Sequence, residues 1–455
     1  MLFAFFLLAA LPNWVPARWN SGDPKSLELL AETPINCVLL ESPSWNADFV
    51  KQATARGIAT LAVLHSGDAL LEQTRLAVQL KMTGVVLEGD YEAEAANRVR
   101  SQLTSTGLAM IELPIRRRIR VESRDPILGT SQGLWPGIEI EHGGKVMTGP
   151  TSNPWIDTNT GFLRFLRAAT DATLWIGVRP PPKRAVSVER YAVVMADAAI
   201  SGARWIVALD DDLDRRLLAR DPQAVAAWKQ IAAYLSYFEN KPEWRAYRPY
   251  SKLALVQDTE TGGMLSASLL DMLTVQHTAV RPILTRRLSP ESLHGARAVL
   301  NVDAESISAQ QKQALQDFVS SGGVLVNPPA GWRFPTTSER QLTPDRRQSN
   351  QIQGIWEVTY NATARKNFGA RTFNTSSVLF NLLATPDAKS LLIHLLNYAD
   401  FAAETVTVQV LGERKRARLY RPDAPMQELA VYPIKDGTGI DIDRIPVITT
   451  LRLDQ

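Results

Sequence analysis

Four apolar runs decide how this chain reads: Asn36-Cys37-Val38-Leu39-Leu40-Glu41, Ala59-Thr60-Leu61-Ala62-Val63-Leu64, Gly84-Val85-Val86-Leu87-Glu88 and Leu108-Ala109-Met110-Ile111-Glu112-Leu113. They recur every 23 to 25 residues. Helical patterns fill the gaps, at Ala47 to Arg56, Ala69 to Met82 and Glu92 to Ser105, and each stops at a glycine: Gly57, Gly84 or Gly107. Glycine suits the residue after a helix because that position tends to be left-handed, where a Cβ costs energy. Strands that return over helices pair in parallel through right-handed crossovers. The repeat predicts an α/β fold built from βα units.

The rhythm loosens after Leu113. A turn-rich stretch runs from Asp125 to Asn159. Strand-like runs resume at Thr173 to Val178 and Arg204 to Leu209, and the helical pattern between them, Val188 to Ile200, ends close to Gly202. Six strands are clear, a seventh falls between Ile127 and Ile140, and no eighth is visible. The expectation is a (β/α)8 barrel, complete or short of a strand, over residues 18–240. An open doubly wound sheet is the other arrangement this pattern allows.

The 455 residues suffice for two or three domains. Leu2 to Leu11 is an almost uninterrupted apolar run, shorter than the ~20 residues that span a bilayer. Val15-Pro16-Ala17 supplies small residues where a signal peptidase cuts, although no positive charge precedes the run. Residues 1–17 are therefore read as a signal peptide and the protein as exported, periplasmic or extracellular; a buried first strand or helix is the alternative. No other segment suits a membrane span, so no stable span is expected in the mature chain. A net charge of +3 with 47 acidic residues gives no reason to expect nucleic acid as a partner. The densest basic run, Arg116, Arg117, Arg118 and Arg120, reads as a solvated rim. Cys37 is the only cysteine and lies in an apolar run, which suits a core residue better than a nucleophile. The five histidines include no i, i+4 pair, so neither a metal nor another cofactor is expected.

Past the proline-punctuated joint Lys241 to Tyr250, a second α/β pattern occupies residues 250–330. Its strands are Lys252 to Gln257, Val280 to Thr285, Ala298 to Val302 and Val324 to Asn327, with helices Met264 to Gln276 and Ser308 to Ser320. This is enough for a flavodoxin-like domain. Pro335 to Gln353 reads as a surface loop. In residues 354–455, a buried strand at Ser390 to Tyr398 precedes alternating runs at Thr405 to Val410, Arg416 to Tyr420, Glu428 to Tyr432 and Val447 to Leu453. They predict a small antiparallel β-sandwich.

Ala298-Val299-Leu300-Asn301-Val302, followed by the run Ala314 to Val326 with its Gly322-Gly323, resembles the glutamine-amidotransferase-like domain of β-galactosidase-like glycoside hydrolases. Leu392-Ile393-His394-Leu395-Leu396-Asn397-Tyr398 with Thr405 to Val408 is similar to their terminal sandwich, and the domain order is theirs as well. The resemblance implies a protein that acts on or binds a carbohydrate. The middle domain lacks the cysteine nucleophile of an amidotransferase, which implies a packing module or a homo-oligomer contact.

In a βα barrel the site lies at the carboxyl ends of the strands. Glycoside hydrolysis needs one protonated and one ionised carboxyl group. The strand-end acids are Glu41, Glu88 with Asp90, Glu112, and Asp210-Asp211-Asp212. Glu112 and Asp210 are the expected catalytic pair. Glu112 ends the fourth strand, where the resembled hydrolases place their acid/base, although Ile111 stands where they usually carry Asn; Asp210 lies closest to its own strand. Glu88, Asp90, Trp135, Trp155, Asp157, Asn159, Arg179 and Asp211 are the expected substrate-binding residues. The indoles sit in Gly/Pro-rich segments and suit stacking on a sugar face or plugging of the barrel mouth. Asp157 and Asn159 offer hydrogen bonds, and Arg179 can hold an anion or pair with one of the acids. For Glu88-Gly89-Asp90 and the aspartate run, helix capping is the alternative. The alternative function is a non-catalytic glycan-binding or scaffold protein on a degenerate barrel.

Overall fold

The computed structural model describes residues 13–136, 156–257, 269–274, 276–302, 307–327, 342, 346–364, 367–375 and 377–455, with the backbone alone of 138–140 and 146–148. The chain forms two compact units. One runs to Trp135 and adds Thr170–Ala199 and Ala203–Asn240; the other takes Pro136–Ala169, Ile200–Gly202 and Lys241–Gln455.

In the first unit, β1 (Pro16–Arg18), β2 (Cys37–Leu40), β3 (Ala59–His65), β4 (Gly84–Gly89) and β5 (Ala109–Pro114) form a parallel sheet in that order. The chain continues through β6 (Ile127–Thr130), a hairpin of the other unit formed by β7 (Ile138–Ile140) and β8 (Val146–Thr148), then β9 (Thr173–Ile176) and β10 (Ala203–Trp205). A second parallel sheet has the order β10, β9, β6. Just past β10, Val207 bridges to Ala17: the Arg18 amide donates to the Val207 carbonyl at 2.7 Å, and the Val207 amide to the Pro16 carbonyl at 3.1 Å. At the other edge, Thr130 Oγ1 of β6 donates to the Pro114 carbonyl of β5 at 2.6 Å. Eight strand positions thus follow one another around a ring.

The strand missing from the sequence reading is β1. It was hidden in the expected signal-peptide boundary: Trp14, Val15 and Ala17 are buried, and cleavage after Ala17 would remove most of the strand. Its three residues are too few to show a period, and a 3-10 turn, Pro24–Leu30, follows it in place of a full helix. The seventh strand is β6, and Ile138–Ile140 is a hairpin strand outside the ring.

Alternate residues of the strands fill the ring. Cys37, Leu39, Leu61, Val63, Val86, Ile111, Leu113, Ile127, Trp175 and Ile206 form one apolar core with Trp14. Burial pushes the Cys37 thiol up, consistent with a packing role. Gly129 permits the close approach of β6, because a Cβ there would lie 2.5 Å from Leu113 Cδ2 and 2.7 Å from the Trp175 carbonyl oxygen. Helices Ala47–Ala55, Leu70–Gln79 and Ala93–Leu103 link β2 to β5. Gly57 and Gly107, which follow two of them, have φ values of +73° and +74° and fit the left-handed cap.

The second unit contains a four-stranded parallel sheet in the order Arg281–Leu284, Leu253–Gln257, Ala298–Asn301, Val324–Val326. Helix Ala309–Ser320 joins the last two strands behind a reciprocal cap between Ser308 and Gln311. Two antiparallel sheets, of six and four strands, enclose a common core that includes Phe380, Ile393, Leu395, Val408, Ile440 and Leu451. The parallel and antiparallel parts belong to one unit because Ala279 enters that same core and His277 Nε2 lies 2.7 Å from the Val378 carbonyl oxygen. Two elements differ from expectation. Helix Arg346–Thr363 begins inside the stretch read as a loop, with Ile352 and Ile355 buried on one face. Strand Val378–Ala384, buried along its whole length, was not anticipated.

A chain starting at Trp19 is expected to unfold at lower urea than one starting at Asn13. Loss of Trp14 and Val15 burial alone costs at least about 3 kcal/mol, at about 1.5–3 kcal/mol per large side chain. Equal midpoints would show that β1 contributes nothing to the ring.

Candidate active site

The pleat decides which strand-end side chains meet. Val86 and Leu113 point into the ring, and the register pairs His65 with Glu88 and Glu88 with Leu113. Glu88 and His65 therefore lie on the inner face, at the carboxyl end. Arg18 is paired with Leu39, another inward residue, and Glu41 follows β2 in the same alternation.

Their side chains form one network. Arg18, only 5% exposed, directs Nη2 at both Glu88 oxygens at 2.7 Å, and its Nη1 lies 3.6 Å from Glu41 Oε1. Arg179, beyond β9, donates to Glu41 Oε1 at 2.7 Å. His65 Nε2 lies 3.3 Å from Glu41 Oε2. Next to this group, Asn20 Nδ2 donates to Asp214 Oδ2 at 3.2 Å. Asp214 stands on helix Asp211–Leu218, within electrostatic reach of Arg179 and Asp211.

The carboxyl groups are tuned in opposite directions. Burial opposes ionisation of Glu41, but hydrogen bonds from His65 and Arg179 outweigh it and hold the group at about 2. The same hydrogen bond raises the His65 imidazole above its ordinary 6.5. Asp214 moves the other way: burial raises it, and the hydrogen bond from Asn20 offsets this only in part. A carboxyl group raised by burial and a firmly ionised one thus flank Arg179.

The expected pair, Glu112 and Asp210, is not assembled. Glu112 pairs with Leu87, so it sits on the outer face of the sheet. There it binds Arg120 Nη2 at 2.9 and 3.1 Å and also pairs with Arg100. Asp210 is 4% exposed and caps its helix, accepting from the Asp212 and Leu213 amides at 3.2 and 3.1 Å. Its other oxygen accepts from Tyr191 Oη at 2.9 Å and the Val186 amide at 3.2 Å, so its capacity is spent on structure. Asp211 is the exposed first residue of that helix.

Among the expected binding residues, Glu88 and Arg179 belong to the network. Asp90 faces the arginine run, 3.0 Å from Arg117 and paired with Arg118, which also holds Glu92. Trp135 is buried edge-on against Trp205 and Tyr191, with ring centroids 5.6 and 5.4 Å away. Its Nε1 donates to the Arg179 carbonyl at 3.2 Å, so this indole plugs the ring and offers no sugar platform. Asp157 and Asn159 belong to the second unit, where the Asn159 carbonyl accepts the first bond of helix Thr160–Ala169. Trp155 lies outside the described residues. Sequence reasoning missed Arg18, Asn20, His65 and Asp214. Parity could have found His65, which follows Leu61 and Val63 on β3; Arg18 carried no signal while β1 went unseen.

No family model and no curated protein matches the sequence. Solved structures do match its fold. Alpha-L-fucosidase isoenzyme 2 from Paenibacillus thiaminolyticus aligns at 10% identity with a TM-score of 0.66, over 97% of this chain and 99% of that one. A rhamnosidase from Novosphingobium sp. PP1Y aligns at 10% identity and TM-score 0.47, over 85% and 39%. The glycoside hydrolase domain of PelA from Pseudomonas aeruginosa aligns at 15% identity and TM-score 0.31, over 43% and 94%. The fucosidase match covers nearly the whole chain, so this protein has a glycoside hydrolase-like fold.

The His65–Glu41 pair predicts a pH signature. His65 is raised on folding, so its contribution to stability is complete below about pH 6.5 and is lost as pH rises through the raised value. Glu41 is lowered, so its contribution is complete above about pH 4.5 and is lost as pH falls toward 2. Thermal midpoints of His65→Gln against wild type are expected to differ most between about pH 4.5 and 6.5 and to converge as pH rises through the raised His65 value. A difference independent of pH would contradict the pairing.

Proposed function

We propose that the protein is an exported glycoside hydrolase whose ring is a (β/α)8 barrel with its glycan site at the carboxyl ends of the strands. The observation that carries this reading is the opposite tuning of Asp214 and Glu41 around Arg179, with Glu88 beside them on Arg18. Asp214 gives its proton to the glycosidic oxygen as the bond to the anomeric carbon breaks. Glu88 serves as the carboxylate that attacks this carbon or takes a proton from the attacking water. Glu41 is too firmly ionised to shuttle a proton; it holds Arg179 and His65 in place. The apolar run before Asn13 is the proposed export signal, cleaved ahead of Trp14 so that β1 is kept. Among the described residues no helix is long and apolar enough to cross a membrane.

A second reading, glycan binding without hydrolysis, is favoured by the ion pairing itself, since Glu41 and Glu88 each already face an arginine. Hydrolysis of a panel of aryl glycosides separates the two. Asp214→Asn is expected to lower kcat by about 10²–10⁴ on substrates with poor leaving groups and far less on dinitrophenyl glycosides, which need no proton. Glu88→Gln should impair all of them. Saturable binding with no turnover would favour the second reading; neither binding nor turnover would overturn both.

A further inference from the structure

In the second unit, the connection that leads into strand Ala298–Asn301 and the last turns of helix Ala309–Ser320 line an open cavity of about 340 Å³. It lies at the amino ends of that strand and of its parallel neighbour Val324–Val326. Pockets for small ligands start at roughly 300 Å³. The floor is apolar: Leu293 and Ala314 are buried and Phe318 is half-buried. An added Cβ at Gly323 would collide with the Phe318 ring, so glycine lets that ring pack against the chain. The rim is polar. His294 and Arg297 come from the connection, Asp317 and Ser321 from the helix, and all four are exposed. The Arg297 backbone is fixed: its amide donates to the Lys252 carbonyl at 2.7 Å, and its carbonyl accepts from the Val324 amide at 3.0 Å.

The two walls carry opposite charges, and neither is neutralised. Among the described residues no acid pairs with Arg297 and no cation with Asp317, although both line the same cavity. Asp317 Oδ1 accepts from the neutral Gln313 Nε2 at 2.8 Å. Asp317 also opens the last turn of its helix, at the negative end of the helix dipole, where a cation is favoured, and that turn carries no basic residue. One wall therefore lacks a cation, and the other, with Arg297 and the His294 imidazole, lacks an anion. A ligand that answers both has an ammonium group, a carboxylate and a small apolar body to lie on Phe318 and Leu293. We propose that this cavity binds such a zwitterion, an amino acid with an apolar body. It does not rest on the reading of the ring.

The test is titration calorimetry on the full chain, with L-leucine, L-phenylalanine and 6-aminohexanoate as probes. At least one should bind saturably, one molecule per chain. The deaminated and decarboxylated analogues of that probe should each bind at least about tenfold more weakly, because each loses one charge-assisted contact. Arg297→Gln and Asp317→Asn should weaken binding by a similar factor. Both should melt with wild type, since the side chains are exposed and outside any ion pair and Asn still accepts from Gln313. Either variant suffices if the other does not fold. Glu88→Gln, in the ring, should bind the probe as wild type does. The proposal is overturned if no probe binds saturably, if a one-charge analogue binds as tightly, if the rim variants bind as wild type, or if Glu88→Gln loses binding.

Discussion

The ring depends on one buried guanidinium. Arg18 is carried inside by a three-residue strand, and a cation at that depth persists only when it is paired and hydrogen-bonded. Glu88 meets it with both oxygens, and Glu41 stands within ion-pair distance of its other nitrogen. Glu41 in turn holds Arg179 from the far side of the ring and His65 from β3. The ends of β1, β2, β3, β4 and β9 are thereby joined through charge at the place where their apolar interior stops. The backbone bridge between Ala17 and Val207 puts Arg18 there, so closure of the ring and assembly of the network are a single requirement.

This network also explains why nearby acids behave differently. Glu41 is surrounded by donors, whereas Asp214 has one neutral donor and a half-buried setting. Asp210, one helical turn before Asp214, uses its oxygens to cap the helix and to bind Tyr191. Three acids with the same chemistry thus become a firmly held anion, a carboxyl group whose ionisation is opposed, and a structural cap. Position on the helix or strand decides among these roles, and proximity in sequence does not.

The sequence shows the βα repeat clearly because glycine stops and strand spacing are local signals. Parity is harder to read. A parallel strand buried on both faces is apolar throughout, so Ala109 to Pro114 does not reveal that Glu112 faces the helices while Leu113 faces the ring. Glu88 is the inward acid for the same hidden reason. β1 was masked by a leader-like apolar run, which removed Arg18 from consideration. In the second unit the alternating strands were legible at Thr405 to Val410 and Arg416 to Tyr420, where one face is wet. Val378–Ala384 has no wet face and gave no alternation.

A double-mutant cycle on Arg18 and Glu88, read by urea unfolding of Arg18→Met, Glu88→Gln and the double variant, tests most directly whether this pair organises the site. Strong coupling is predicted, on the order of 1–3 kcal/mol, with each single change costing more beside its intact partner than beside the altered one. Additivity to within about 0.5 kcal/mol would contradict it and leave the ring without its proposed electrostatic centre.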